Sequence, residues 1–253
     1  MIEIWDHPFG HALLKIERAN KHIADIDKRL RASSDTYGPS LHIDSKAGEQ
    51  FLDYSLRDRA LQPDIALMVG DAIHNLKSAL DIAYRETLRI VSPAGYKPSH
   101  TKFIVGKDRK DLESSLVKTA KIPRHSPLFD FLVEYVKPYK GEGGDKDICA
   151  IHALDIDDKH HLLIPILTLV GIDGVELENE DGTIDRFTIA VTRHNFYRAP
   201  VPLGSKFKNH GEVRFKITFR EGISTHNLGV VPTLIRFSKK TLRVVRGLQR
   251  MSR

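Results

Sequence analysis

The chain has a single cysteine, Cys149, among its 253 residues. One thiol cannot form a disulfide within the chain, and zinc sites that use several cysteines are excluded as well. This scarcity is typical of proteins from a reducing compartment. We interpret Cys149 as a packed small hydrophobic residue and not as a nucleophile.

Long uncharged runs are also missing from the sequence. No apolar segment approaches the roughly 20 residues that a membrane-spanning helix needs. Glu3 and Asp6 interrupt the short apolar stretch at the N-terminus, so it does not have the pattern of a targeting signal. We therefore expect a cytoplasmic protein with no membrane contact.

Acidic residues are missing from the C-terminal segment. Residues 231–253 contain seven basic side chains and no acidic one. The other 32 of the 39 basic residues are balanced by the 33 acidic ones. The net charge of +6 therefore comes from the basic residues of this segment.

The apolar pattern that is present predicts an α+β protein in two parts. Residues 1–162 are predicted to form a mainly helical domain with a short β-hairpin near residues 40–57. Residues 163–253 are predicted to form an antiparallel β region that ends in a basic helix. The fold class is thus an antiparallel helical bundle with an appended antiparallel β-sheet.

Periodicity defines the individual elements. Apolar residues three or four apart predict helices over residues 12–32 and 63–91, and further helical segments over 108–117 and 127–136. The β region is predicted to hold one sheet of about four strands, which the N-terminal hairpin can join. Asp181-Gly182 predicts a tight hairpin turn within it, and residues 195–209 are predicted to be a loop.

A polar stripe runs along the helix predicted over residues 63–91. By steps of 100° per residue, its charged and polar side chains lie opposite the apolar face. One interpretation is a solvated face of charge pairs one turn apart. The other is a site, completed by another element or subunit, to which His74 and Asp81 belong. The stripe comprises Asp71, His74, Lys77, Ser78, Asp81 and Arg85.

A second polar cluster covers residues 152–161. On a helix, His152, Asp155 and Lys159 would share one face, while Asp157 and His161 would share another. An Asp and a His four residues apart can contribute to a metal site, but two ligands do not make one. Helix capping, charge pairs and packing explain most such clusters, and we expect neither a metal nor a cofactor.

The segment from about Thr233 to the C-terminus is predicted to be a helix with much of its basic charge on one side. Such a surface suits a nucleic-acid backbone, because neutralised phosphates release counterions. An anionic surface or an acidic protein would suit it almost as well, and basic residues also favour helix C-termini. The candidate nucleic-acid-binding residues are Arg236, Lys239, Lys240, Arg243, Arg246 and Arg250.

Several motifs in this order resemble a family of uncharacterised bacterial proteins. They are the segment from Gly70 to Asp81, then Phe103-Ile104, then Val136-Lys137-Pro138-Tyr139, then residues 156–163. That family typically shows a Gly-Asp-x-x-His-Asn-Leu-Arg-Ser-Ala-Leu-Asp-His helix and a later Asp-Lys-His-Arg segment. The similarity spans roughly the first two thirds of the chain.

The family's helix is similar in turn to the ribonuclease motif of the HEPN superfamily (higher eukaryotes and prokaryotes nucleotide-binding). The resemblance implies a helical bundle, often dimeric, with a metal-independent RNA-cleaving site of the kind used in toxins and phage defence. This chain departs from the motif at both decisive positions, where it has Lys77 in place of Arg and Ile82 in place of His. Lysine lacks the planar fork of arginine, and isoleucine cannot move a proton.

Two hypotheses follow. The first is a HEPN-like protein that binds RNA or another nucleic acid, either as an atypical ribonuclease or in a degenerate form. Its candidate catalytic residues are His74, Lys77, Asp81 and His161. The second is a noncatalytic protein whose polar helix face forms a homodimer or assembly interface. In both, the polar seam would include Asn75, Ser78, Arg85, Asp158, Lys159 and His160.

Overall fold

A computed structural model describes most of the chain. The described residues are 7–31, 37–44, 46, 48–56, 61–92, 96, 102–160, 166–190, 197–219, 225 and 228–252. They form an α+β fold with antiparallel sheets, as the sequence predicts. No helix among these residues has the length and apolar character that crossing a membrane requires.

Within the described residues, the helical part consists of six α-helices and one π-helix. The helices predicted over residues 12–32 and 63–91 are confirmed as α1 and α2. The segment predicted over 127–136 divides into the short helix α4 and the π-helix. The bounds are α1 (Gly10–Arg31), α2 (Leu61–Val91), α3 (Arg109–Lys118), α4 (Pro127–Asp130), the π-helix (Phe131–Val136), α5 (Lys146–His160) and α6 (Val230–Met251).

Helices α1, α2, α5 and α6 pack against one another around α2. An ion pair between Arg29 and Asp64 joins the end of α1 to the start of α2, so these helices are antiparallel. Ser238 Oγ donates to Asn20 Oδ1 at 2.6 Å, which places the middle of α6 beside the middle of α1. The buried face of α1 holds Ala12, Ile16, Ala19, Ile23 and Ile26, the spacing that its sequence predicts.

The strands form two antiparallel sheets of three, in the orders β1-β2-β5 and β4-β3-β6. The prediction of one sheet of about four strands is therefore wrong. The predicted hairpin near residues 40–57 is confirmed as β1 and β2. The predicted turn at Asp181-Gly182 connects β3 to β4, and Gly182 has a φ of +81° there. The bounds are β1 (Tyr37–Asp44), β2 (Glu49–Leu56), β3 (Ile166–Glu178), β4 (Ile184–Ala190), β5 (Tyr197–Val201) and β6 (Lys206–Thr218).

Strand β5 lies within the segment predicted to be a loop, so that prediction is wrong as well. Its sequence includes Pro200, which cannot donate a ladder hydrogen bond and reads as a loop signal. Because β5 pairs on one side only, with β2, an edge position accommodates the proline. Gln50 Nε2 donates to the Ser205 carbonyl at 2.8 Å and helps to fasten the hairpin to the turn before β6.

Contacts cross the predicted boundary near residue 162 in both directions. The N-terminal hairpin pairs with β5, and the C-terminal helix α6 packs against α1 and α2. The apolar side chains of helices and strands form one continuous buried cluster. The helical bundle thus includes both ends of the described chain. Because one side of α6 packs against α1 and α2, its basic side lies on the surface of the bundle.

Candidate nucleic-acid interface

Helix α6 divides sharply into a buried and an exposed side. Leu234, Phe237 and Leu248 are fully buried against the bundle. The opposite side carries exposed basic side chains at intervals of three or four residues, as the sequence predicts. They are Arg236, Lys239, Arg243, Arg246 and Arg250.

Two of the six predicted nucleic-acid-binding residues are bound to acidic side chains at the N-terminal end of α5. Arg236 Nε lies 3.0 Å from both carboxylate oxygens of Asp147, and Lys240 forms an ion pair with Asp145. Asp145 also accepts the Ile148 backbone N–H at 2.9 Å. The two cations therefore fasten α6 to α5, and a phosphate would have to compete with these carboxylates.

The remaining four, Lys239, Arg243, Arg246 and Arg250, form what we call the basic stripe. All four are exposed, and within the described part of the chain no acidic side chain forms an ion pair with them. From Lys239 to Arg250 the stripe extends about 16 Å along the helix, at about 1.5 Å per residue. It is a single-sign surface held on a rigid element.

The polar face of α2 packs against α5 and brings together residues that are far apart in the sequence. His74 Nδ1 lies 3.0 Å from Asp155 Oδ1, and Lys159 Nζ lies 2.5 Å from Asp155 Oδ2. The Asp155 side chain is only 4 % exposed, whereas about half of the His74 and Lys159 side chains is exposed. A buried carboxylate thus orients an accessible imidazole.

This arrangement defines which imidazole nitrogen carries the proton in the neutral form. A carboxylate only accepts hydrogen bonds, so Nδ1 of His74 is the donor and Nε2 is left as the basic nitrogen. Ser78 Oγ is 3.4 Å from Nε2, which is too long for a strong hydrogen bond. His74 Nε2 is therefore available to take a proton from a bound molecule.

Lys77 and Asp81, both predicted as catalytic, form an ion pair with each other. The Lys77 side chain is 6 % exposed, and Asp81 Oδ1 also accepts the Phe103 backbone N–H at 2.7 Å. Removing Asp81 would leave the buried Lys77 ammonium without its carboxylate, so the pair is a structural link between α2 and the segment at Phe103. Lys77 does not present its ammonium to solvent.

The other members of the predicted seam have varied surroundings. Asn75 is 8 % exposed and donates to the Asp71 carbonyl at 2.7 Å, and Arg85 Nε lies 3.3 Å from Glu86 Oε1. The Asp158 carboxylate lies against Gly70, where a Cβ atom would be 2.4 Å from Oδ1, so this glycine permits the close approach of α2 and α5. His161 and the side chain of His160 lie outside the described residues, and their assigned roles stay predictions.

Asp155 is the important residue that the sequence reasoning did not select. Its place on one helical face with His152 and Lys159 was the available signal. That pattern within α5 does not predict that His74 of α2 binds the Asp155 carboxylate as well. The pairing of α2 with α5 is a long-range contact, and periodicity within either helix does not specify it.

His152 sits beside this group with an unusual environment. Its Nδ1 is buried and has no hydrogen-bond partner among the described residues. Burial lowers the pKa of His152, and the positive charges of Lys77 and Lys140 lower it further. The negative charges of Asp155 and Asp81 raise this pKa and offset part of the effect. The environment thus favours the neutral form of the ring.

This gives a testable pH dependence. Because the unfolded chain binds a proton at His152 more readily than the folded chain, the free energy of unfolding should fall as the pH drops through about 6.5. Below the lowered folded-state pKa, this contribution should change no further. In a His152→Gln variant the loss of stability on acidification should be smaller, measured by urea unfolding across this range. Equal losses in both proteins would contradict this account of His152.

Two adjoining cavities are lined in part by residues of α5. The larger, about 660 Å³, lies over Cys149 and Ala153, and the smaller, about 350 Å³, is bounded in part by His152. They share Lys140 and Ala153. Burial raises the pKa of Cys149 to about 11, so its thiol is protonated near neutral pH, in keeping with its interpretation as a packed residue.

Among the described residues, no group of three or more His, Cys, Asp and Glu side chains is placed to hold a metal ion. Comparisons of the chain with models of protein families, with curated proteins and with solved structures find no match. Any functional conclusion therefore depends on the geometry of the basic stripe and of the seam between α2 and α5.

Proposed function

We propose that this protein binds single-stranded RNA through the basic stripe of α6. The observation that carries the proposal is the set of four exposed cations on one helical face, none of them paired with a described acidic side chain. The same helix has its other side buried in the core, so the charges are held at fixed spacing. The resemblance of the sequence around Gly70 to Asp81 to a HEPN-like helix motif implies an RNA partner as well.

The physical basis is the release of counterions from the nucleic acid. Each phosphate that a Lys or Arg neutralises on a single strand contributes about −0.7 to the slope of log affinity against log salt concentration. Arginine supplies three of the four cations, and its planar guanidinium binds a phosphate through two parallel hydrogen bonds. The stripe therefore suits a flexible phosphate backbone.

A salt titration of binding to a short, fluorescently labelled single-stranded RNA tests the proposal. If all four cations contact phosphates, the slope of log affinity against log salt should be about −2.8. The full chain is used, since α6 contributes buried side chains to the core and cannot be removed without loss of packing. Absent or salt-independent binding would overturn the proposal and favour the noncatalytic interface hypothesis.

A second candidate function is metal-independent cleavage of the bound RNA. The specific observation in its favour is the pairing of His74 with the buried Asp155. In such a reaction, His74 Nε2 would take the proton of the ribose 2′-hydroxyl as its oxygen attacks the adjacent phosphorus. The bond from phosphorus to the 5′-oxygen would break, the departing oxygen would take a proton from water, and a 2′,3′-cyclic phosphate would remain. Lys159, which is half exposed and binds the other oxygen of Asp155, would offset negative charge on the phosphate.

A further inference from the structure

Tyr135 is a large aromatic side chain that the fold leaves in solvent. Its exposure of 77 % is the highest among the exposed large hydrophobic residues of the described chain. It belongs to the π-helix Phe131–Val136, a rare conformation that often occurs at functional sites. A single exposed aromatic ring does not by itself indicate a binding site, so the residues around it have to be considered.

The surroundings of Tyr135 connect it to the basic stripe. Its ring stacks on that of Phe131, with centroids 6.5 Å apart and planes 24° from parallel. Phe131 in turn lies against Gly247 of α6, so closely that a Cβ atom at this glycine would be 2.1 Å from the Phe131 ring. The Phe131 ring therefore packs onto α6 at Gly247 and connects Tyr135 to that helix.

Gly247 lies beside the basic stripe, on the buried side of α6. Arg243 precedes it by four residues and Arg250 follows it by three, so both are its neighbours on the helix surface. Glycine in a helix interior is less favourable than alanine. The close approach of Phe131 gives the reason for a glycine here, since any other residue would displace the ring.

The carboxylate next to Tyr135 is held in an ion pair. Glu134 is bound by Arg109, whose Nη1 lies 3.3 Å from Glu134 Oε2 and whose Nη2 contacts the other oxygen. Arg109 Nε also lies 3.0 Å from Glu113 Oε1. An incoming phosphate group would therefore meet an ion-paired carboxylate beside the ring. It would also meet the arginines of the basic stripe, which form no ion pair with a described acidic side chain.

We propose that Tyr135 is a stacking platform for one base of a single-stranded RNA whose phosphates contact the basic stripe. The inference rests on the proposed RNA binding and makes it more specific. An exposed ring beside a row of cations is the combination that binds single strands without reading their sequence, because every base has a flat face. A duplex, whose bases are already stacked on each other, would gain nothing from the ring.

Substitution of Tyr135 by alanine tests the platform. Stacking of one base on an aromatic ring contributes to the free energy of binding, so Tyr135→Ala should weaken binding of single-stranded RNA about 10-fold. The slope of log affinity against log salt should not change, because no phosphate contact is lost. Tyr135→Phe should retain most of the affinity, since it keeps the ring. Leu203→Ala is a matched control, because Leu203 is also a mostly exposed hydrophobic residue but lies in the turn between β5 and β6.

An RNA that lacks its bases separates stacking from any indirect effect on folding. Intact protein should bind the abasic strand about 10-fold more weakly than the normal strand, whereas Tyr135→Ala should bind the two alike. Equal affinity of Tyr135→Ala and intact protein for the normal strand would overturn the platform and leave RNA binding standing. If the intact protein binds neither strand, the proposed function itself is overturned.

Discussion

Replacing Arg243, Arg246 and Arg250 together by glutamine is expected to lower the affinity for single-stranded RNA about 100-fold near 0.1 M salt. Loss of three phosphate contacts should also reduce the salt slope by about 2.1, since each contact on a single strand contributes about 0.7. Each of the three side chains is exposed, so the fold should tolerate the change. The measurement is equilibrium binding of a labelled strand at several salt concentrations.

A variant with the same change in net charge controls for long-range attraction. Lys206, Lys208 and Lys216 are exposed lysines of β6, away from the helical surface. Their joint replacement by glutamine should leave the salt slope nearly unchanged. If this control weakens binding as much as the α6 variant does, the total charge of the protein and not the basic stripe attracts the RNA.

His74→Gln is expected to reduce RNA cleavage at least about 100-fold if the second candidate function is correct, since a positioned general base commonly contributes this much. RNA binding should persist, because His74 lies on α2 and not on the basic stripe. The assay is cleavage of RNA in the presence of a chelator, which removes contaminating metal-dependent nucleases. His22→Gln, on α1, is the matched control and should cleave at the rate of the unaltered protein.

Asp155→Asn provides a separate test of the orientation of His74. An asparagine at this position can donate to Nδ1 and would stabilise the tautomer that carries its proton on Nε2, the nitrogen needed as the base. Cleavage should therefore fall although the histidine is intact. Unchanged cleavage in His74→Gln, or no cleavage by the unaltered chain, would rule out the catalytic candidate without affecting the proposal for α6.

The helices were predictable because their apolar residues recur at a single period. The stripe of α1 and the two-sided pattern of α6 both match the structure. The sheets were harder, because pairing between β2 and β5 joins residues about 150 apart in the sequence, and local alternation does not specify such partners. Pro200 and the short length of β5 gave that segment the signature of a loop.

The candidate site was predictable as a set of residues on one helix, but not as a geometry. Spacing placed Lys77 and Asp81 one turn apart on α2, and they form an ion pair, but their burial depends on what packs over them. The partner of His74 comes from α5, and the partners of Arg236 and Lys240 come from its N-terminal end. These contacts follow from helix packing, which the sequence pattern of one helix does not contain.

Photo-crosslinking of a thiouridine-containing single strand, followed by identification of the linked peptides, locates the RNA on the protein surface. Crosslinks are expected in the peptide that contains Tyr135 and in the segment of α6 between Lys239 and Arg250. These crosslinks should disappear in the Arg243, Arg246 and Arg250 variant. Crosslinks confined to the strands, or unchanged in that variant, would contradict the assignment of the RNA surface to α6.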